Sequence, residues 1–172
     1  MIGTVLGIVA FGMILISRPK SPVAIIQDIH TPQYQTALFE AAKAYGHAGC
    51  GDEQLAEMTA RYSIKSGISA GFLASHIAVE STCNPMAVSN RNAIGLMQVV
   101  PKVWSKRFDF TKINLFNPED NMMVGTTIMS ELIKKYGVHG ALIRYYGTGK
   151  DDIGMGGIGY AAKVLTLTGA HQ

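Results

Sequence analysis

The stretch from Ser69 to Pro101, SAGFLASHIAVESTCNPMAVSNRNAIGLMQVVP, decides how the chain is read. It opens as an apolar helix that reaches a single carboxylate, Glu80, and then passes into a turn-rich loop. A second helix is expected to open at Gly95-Leu96-Met97-Gln98. Ser69 is a fitting N-cap, and Asn84-Pro85 forbids continuation of the first helix a few residues past Glu80. Leu73, Ile77 and Glu80 fall at i, i+4 and i+7, so the acid continues the stripe that faces the core. Burial disfavours the ionised form and moves a carboxyl pKa upward. That is the state a group needs to donate a proton at neutral pH.

Along the rest of the chain, helices are expected over Tyr34–Tyr45, Asp52–Lys65, Val99–Phe108, a stretch that follows Asn117-Pro118 and runs to Tyr136, His139–Tyr146 and Ile158–Leu167. Asp52 caps the second of these and Gly67 stops it, and Gly137 ends the helix that runs to Tyr136. The Met-containing stripe Val124, Ile128, Met129 and Leu132 reads as core. Trp104 reads as core or groove wall. No stretch reads as a strand, although the loop after Glu80 has room for a small hairpin. The fold class is mainly α.

Glu80-Ser81, Asn84-Pro85, Ala87, Ser89 and Gly95-Leu96-Met97-Gln98 together resemble the core of the lytic transglycosylases, relatives of goose-type lysozyme. Asn117-Pro118, Asn121 and Gly125 match that family's next element. Ala141-Leu142 with Tyr145, and Tyr160 with Lys163-Val164, match its last two. One departure stands out: the family usually has Tyr-Asn-Ala-Gly where this chain has Tyr145-Tyr146-Gly147-Thr148. The resemblance implies a lysozyme-like fold, a peptidoglycan substrate and no cofactor.

Glycosidic cleavage needs a proton for the departing oxygen and something to intercept the oxocarbenium-like carbon. Most glycosidases use a second carboxylate, ~5–5.5 Å away for retention or ~6.5–9.5 Å for inversion. After Glu80 the next acid is Asp109, so the loop and the GLMQ stretch contain none. Asp109, Glu119, Asp120, Asp151 and Asp152 read as solvated surface. A lone acid suffices if the substrate supplies the nucleophile. The resemblance implies that Glu80 protonates the bond between N-acetylmuramic acid and N-acetylglucosamine, the 2-acetamido group stabilises the charge, and a 1,6-anhydro ring closes. The rival readings are a hydrolytic muramidase of the same fold, a non-catalytic glycan-binding module of a secretion or tail apparatus, and a space-making enzyme of a pilus or secretion machine.

The resemblance also implies supporting roles. Ser81 is expected to hydrogen-bond near the acetamido group, Gln98 to donate to a sugar, and Met97 to form an apolar wall beneath one. Tyr160 is expected to contact Glu80 and Tyr145 to line the groove. Tyr146 can stack on a sugar or narrow the site. Against each stands a packing role.

Gly154-Met155-Gly156-Gly157-Ile158-Gly159 fits a dinucleotide fingerprint in form only, since no strand precedes it and the chain leaves no room for the acidic ribose contact. It reads as a flexible connector admitting glycan. The five histidines lack metal-ligand spacing. His76 reads as a partly exposed helix residue four positions before Glu80.

The chain has 172 residues and a formal net charge of +3. Setting aside Arg18 and Lys20, the charges nearly balance, which leaves no nucleic-acid footprint. Residues 1–17, MIGTVLGIVAFGMILIS, would span roughly 25 Å as a helix against a ~30 Å hydrocarbon core. They read as a signal-peptide core, a weak membrane anchor or a buried helix, and the lack of a small-x-small cleavage site favours retention. Their composition resembles the signal-anchor-release segments of some phage endolysins. Arg18 and Lys20 oppose an exported domain under the positive-inside rule, but two charges weigh lightly. The expected organisation is therefore a hydrophobic segment at 1–17, a linker at 18–32 and one domain at 33–172. That domain is expected to be a monomer facing the periplasm and cell wall, tethered at first to the inner membrane. Cys50 and Cys83 can form one bridge, since exported proteins keep disulfides, or stay as two partly buried thiols.

Overall fold

The computed structural model describes residues 31–147 and 155–169. The hydrophobic segment 1–17 and most of the linker lie outside the described residues. Among the described residues, six helices follow in order: α1 (Pro32–Ala48), α2 (Glu53–Ser66), α3 (Ala70–Ser81), α4 (Pro101–Trp104), α5 (Pro118–Tyr146) and α6 (Met155–Leu167). Among the described residues, β structure is limited to two isolated antiparallel bridges, Val88 with Ile94 and Ile94 with Val99. No helix among them is long and apolar enough to cross a membrane.

Side-chain caps start α1, α2, α3 and α5. Thr31 accepts from the Tyr34 N–H, Asp52 from Leu55 at 2.8 Å, Ser69 from Phe72 at 3.3 Å and Asn117 from Asp120 at 3.1 Å. Pro32, expected in the linker, instead occupies the first turn of α1, where its missing N–H costs nothing. Gly137, at φ 69° and ψ 172°, breaks α5 into the two helical arms expected on either side of it.

The core forms around α3, which packs against α1, α2 and α6. Every residue from Ala70 to Ala78 is buried, so the helix has no solvent face. The expected stripe is present, with Leu73 and Ile77 fully buried. Ser75 and His76, on the other sides of the helix, are buried too. A helix enclosed all round holds the group at its end in place, and that group is Glu80.

Two expected elements differ. The helix over Val99–Phe108 shrinks to the single turn Pro101–Trp104, and Trp104 packs half-buried against the core. The glycine-rich run is not a connector from Met155 onward: α6 begins there, with Gly157 packed against Ile143.

Candidate active site

Glu80 is the penultimate residue of α3, which ends when Thr82 turns left-handed at φ 51°. Tyr160, on α6, donates its hydroxyl proton to Glu80 Oε1 at 2.6 Å. Burial pushes the Glu80 carboxyl up to about 7, against the opposing pull of the Tyr160 hydrogen bond. The acid is therefore substantially protonated near neutral pH. Burial, with the nearby Glu80 carboxylate, raises the Tyr160 hydroxyl well above its usual range, so it stays a donor.

The GLMQ stretch is a turn, which corrects the expected helix. Ile94 and Val99 exchange N–H to carbonyl bonds at 2.9 and 3.0 Å, and Gly95 and Gln98 take left-handed φ of 77° and 49°. Apolar spacing alone does not distinguish this closed loop from a first helical turn. Asn121 pins it: its side chain accepts from Met97 N at 2.8 Å and donates to Ile94 O at 2.8 Å and Leu115 O at 2.9 Å. A β-carbon on Gly95 would fall 2.8 Å from Asn121 Cγ, so the approach requires glycine there.

Met97 is fully buried, so it forms no wall beneath a sugar, contrary to expectation. Its side chain fills the space opposite Gly125, where a β-carbon would come within 2.7 Å of Met97 Cβ. Gln98 does not have a free donor to offer a sugar. Its amide nitrogen donates to Gly95 O at 2.9 Å and Ala87 O at 3.2 Å, which leaves Oε1 as an acceptor. Ser81 is buried and donates to Ile77 O at 3.1 Å. Any further bond its hydroxyl makes is as an acceptor.

Tyr145 is buried behind the site, with its hydroxyl on Met97 O at 2.8 Å and its ring edge-on to His76 at 4.6 Å. Tyr146 is 46% exposed and stacks on Tyr160 with ring centroids 5.1 Å apart. It is the aromatic surface that this cluster presents to solvent. His76 is fully buried rather than partly exposed, because α3 has no outer face. Burial holds its imidazole neutral, with a pKa lowered to about 3, so it places no positive charge against the acid.

Cys50 and Cys83 are joined by a disulfide, with Cα atoms 5.8 Å apart. The bond ties the end of α3 to the segment between α1 and α2. Among the described residues, the non-glycine positive φ angles belong to Thr82, Cys83, Asn92 and Gln98, all between Glu80 and α4. Such backbone costs of order 1–3 kcal/mol per residue and gathers at functional sites.

The acids beyond Glu80 that the structure describes are committed elsewhere. Glu119 pairs with Arg61, Glu131 with Arg107, Asp109 with Lys112 and Thr111, and Asp120 accepts from Asn114 N. Among the described residues no other carboxylate contributes to the Glu80 shift. Asp151 and Asp152 lie outside them.

A protonated carboxyl at the end of a buried helix, braced by a tyrosine, is an arrangement for general-acid chemistry. The Transglycosylase SLT domain family matches residues 57–155. The chain belongs to this family. Over 82 residues the chain is 38% identical to a membrane-bound lytic murein transglycosylase C of Photorhabdus laumondii, covering 43% of this chain and 23% of the relative. The homologue in Actinobacillus pleuropneumoniae serotype 5b is 39% identical over 88 residues, covering 46% and 23%. A transglycosylase of Enterobacteria phage PRD1 is 30% identical over 115 residues, covering 66% of this chain and 41% of its own length. The chain thus corresponds to less than half the length of each.

Two working parts of this SLT domain were not given roles by sequence reasoning. Asn121 carried a signal, since a buried asparagine among Met122, Val124 and Gly125 is a poor helix-interior residue unless its amide is used. His76 carried none beyond its spacing from Glu80.

Proposed function

We propose that the protein is a peptidoglycan lytic transglycosylase of lysozyme-like fold, cleaving the β-1,4 bond between N-acetylmuramic acid and N-acetylglucosamine. The observation that carries the reading is the raised Glu80 carboxyl, lone among the described residues and held by Tyr160. Because Tyr160 occupies Oε1, the transferable proton sits on Oε2.

The reaction follows from that placement. Glu80 Oε2–H protonates the departing glycosidic oxygen as the C1–O bond breaks. The carbonyl oxygen of the muramoyl 2-acetamido group attacks C1 and takes up the positive charge, the role a second carboxylate fills elsewhere. Glu80, now a carboxylate, removes the proton of the C6 hydroxyl. That oxygen displaces the acetamido oxygen from C1 and closes the 1,6-anhydro ring. Protons balance: Glu80 gives one to the leaving group and regains one from the 6-hydroxyl, and no water is consumed.

Gln98 Oε1 and the exposed Tyr146 ring serve as the sugar contacts, the first accepting a hydroxyl proton and the second offering a flat apolar face. Ser81 contributes as an acceptor. The relatives, two of them membrane-bound lytic murein transglycosylases and one a phage transglycosylase, support an enzyme that works at the cell wall, held at the membrane by residues 1–17.

Purified peptidoglycan is the test. Wild-type protein should release soluble muropeptides, and Glu80→Gln should reduce release by at least ~10²-fold. Release by the variant at the wild-type rate would overturn the assignment.

A further inference from the structure

His76 Nδ1 lies 2.7 Å from the Tyr160 hydroxyl, the same hydroxyl that lies 2.6 Å from Glu80 Oε1. A hydroxyl has one proton to donate. It cannot serve both neighbours, so one of them must donate to it.

Two arrangements satisfy the geometry. In the first, His76 Nδ1–H donates to Tyr160 Oη and Tyr160 O–H donates to Glu80. In the second, Tyr160 O–H donates to His76 Nδ1 and a protonated Glu80 donates to Tyr160. The second turns the acid's proton inward, away from substrate. It also leaves the imidazole proton on Nε2, a buried atom with no hydrogen-bond partner among the described residues. A buried N–H without an acceptor is the rarer and costlier orphan. The first leaves only a bare lone pair at Nε2.

We propose that His76 is a positioning residue: as its Nδ1–H tautomer it donates to Tyr160, which fixes that hydroxyl as a donor to Glu80 Oε1 and keeps the transferable proton on Oε2. The inference rests on the reading of Glu80 as the general acid. No proton passes through the imidazole, and the hydrogen bonds run in the same direction before and after Glu80 ionises. A hydroxyl that accepts a hydrogen bond also donates more strongly. The titratable groups facing the imidazole are Tyr160 from α6 and the Tyr145 ring from α5, with Glu80 on α3 reached through Tyr160. Burial keeps the imidazole neutral through the working pH range, so the relay does not switch.

The direct test is nitrogen-15 NMR of the wild-type protein carrying labelled histidine. The His76 signals should report Nδ1 protonated and Nε2 bare. An Nε2–H tautomer, or an imidazolium, overturns the proposal. In peptidoglycan cleavage, His76→Leu should lower kcat on the order of tenfold with KM little changed. The alkaline limb of its pH profile should move upward, because the Glu80 carboxylate loses support. His76→Asn, whose amide N–H takes the place of Nδ1, should recover most of the loss, and His76→Gln, which mimics Nε2, should not. Equal defects in the Asn and Leu variants, or an unmoved limb in the Leu variant, contradict the proposal. A wild-type protein inactive on peptidoglycan would remove the proposed function instead, and the tautomer would still decide the direction of the relay.

Discussion

The Tyr160 hydroxyl reaches across 80 residues of sequence to donate to Glu80 Oε1 at 2.6 Å. That bond both supports the ionised carboxylate and selects which oxygen holds the proton. Its removal has a definite sign. In Tyr160→Phe the carboxylate loses a donor, so the Glu80 pKa rises further. The alkaline limb of kcat/KM should therefore move to higher pH while the maximum falls by ~10–100-fold. A pH–rate profile of unchanged position would contradict the assigned contact.

Glu80 and His76 pull stability in opposite directions with pH. Glu80 is raised from 4.5 to about 7, so the folded state binds its proton more tightly and the stability this gives is lost as pH rises through that window. His76 is lowered from 6.5 to about 3, so its contribution is present above 6.5 and lost as pH falls toward 3. Between 4.5 and 6.5 the two slopes oppose. In Glu80→Gln, of these two slopes only that of His76 remains, and stability relative to wild type should increase from pH 4.5 to about 7 and level off above it. Urea unfolding of the two proteins across that range measures it, with the remaining carboxylates common to both. A constant difference between the curves would contradict the Glu80 shift.

The disulfide closes a loop with a sequence separation of 33. In the chain-entropy account, Cys50→Ser with Cys83→Ser should cost roughly 3–4 kcal/mol of stability. Because Cys83 follows Glu80 by three residues, activity at temperatures well below unfolding should also fall. Thermal unfolding and muropeptide release, with and without reductant, separate the two effects. An unchanged melting temperature would show that the bond does not constrain the fold.

Much of this was legible in the sequence, for local reasons. Ser69 and Asp52 are capping residues acting within three positions of themselves, and Gly137 breaks a helix wherever its φ is positive. The Leu73–Ile77–Glu80 stripe follows from helical periodicity alone. What escaped depends on partners far along the chain. Gly95-Leu96-Met97-Gln98 becomes a turn because Asn121, 24 residues past Met97, satisfies its backbone groups. Met97 leaves the groove because Gly125 makes room for it in the core. His76 is buried because helices from both ends of the chain enclose α3. Periodicity measures one helix face at a time and does not register that enclosure.

Asn121 is the clearest test of the pinned turn. Asn121→Ala removes two buried bonds, those to Met97 N and Leu115 O, and a part-buried one to Ile94 O, which should cost about 2–4 kcal/mol. Gln98 moves with the turn, so KM for glycan should rise. Denaturant unfolding with steady-state kinetics checks both, and a variant of wild-type stability would contradict the anchoring role.

The central claim is that one carboxyl performs the cleavage and the sugar's own hydroxyl completes it. Mass spectrometry of the released muropeptides, before and after borohydride treatment, tests this most directly. The account predicts 1,6-anhydromuramoyl ends that borohydride leaves unchanged. Reducing ends that borohydride converts would show that water attacked instead, and would contradict it.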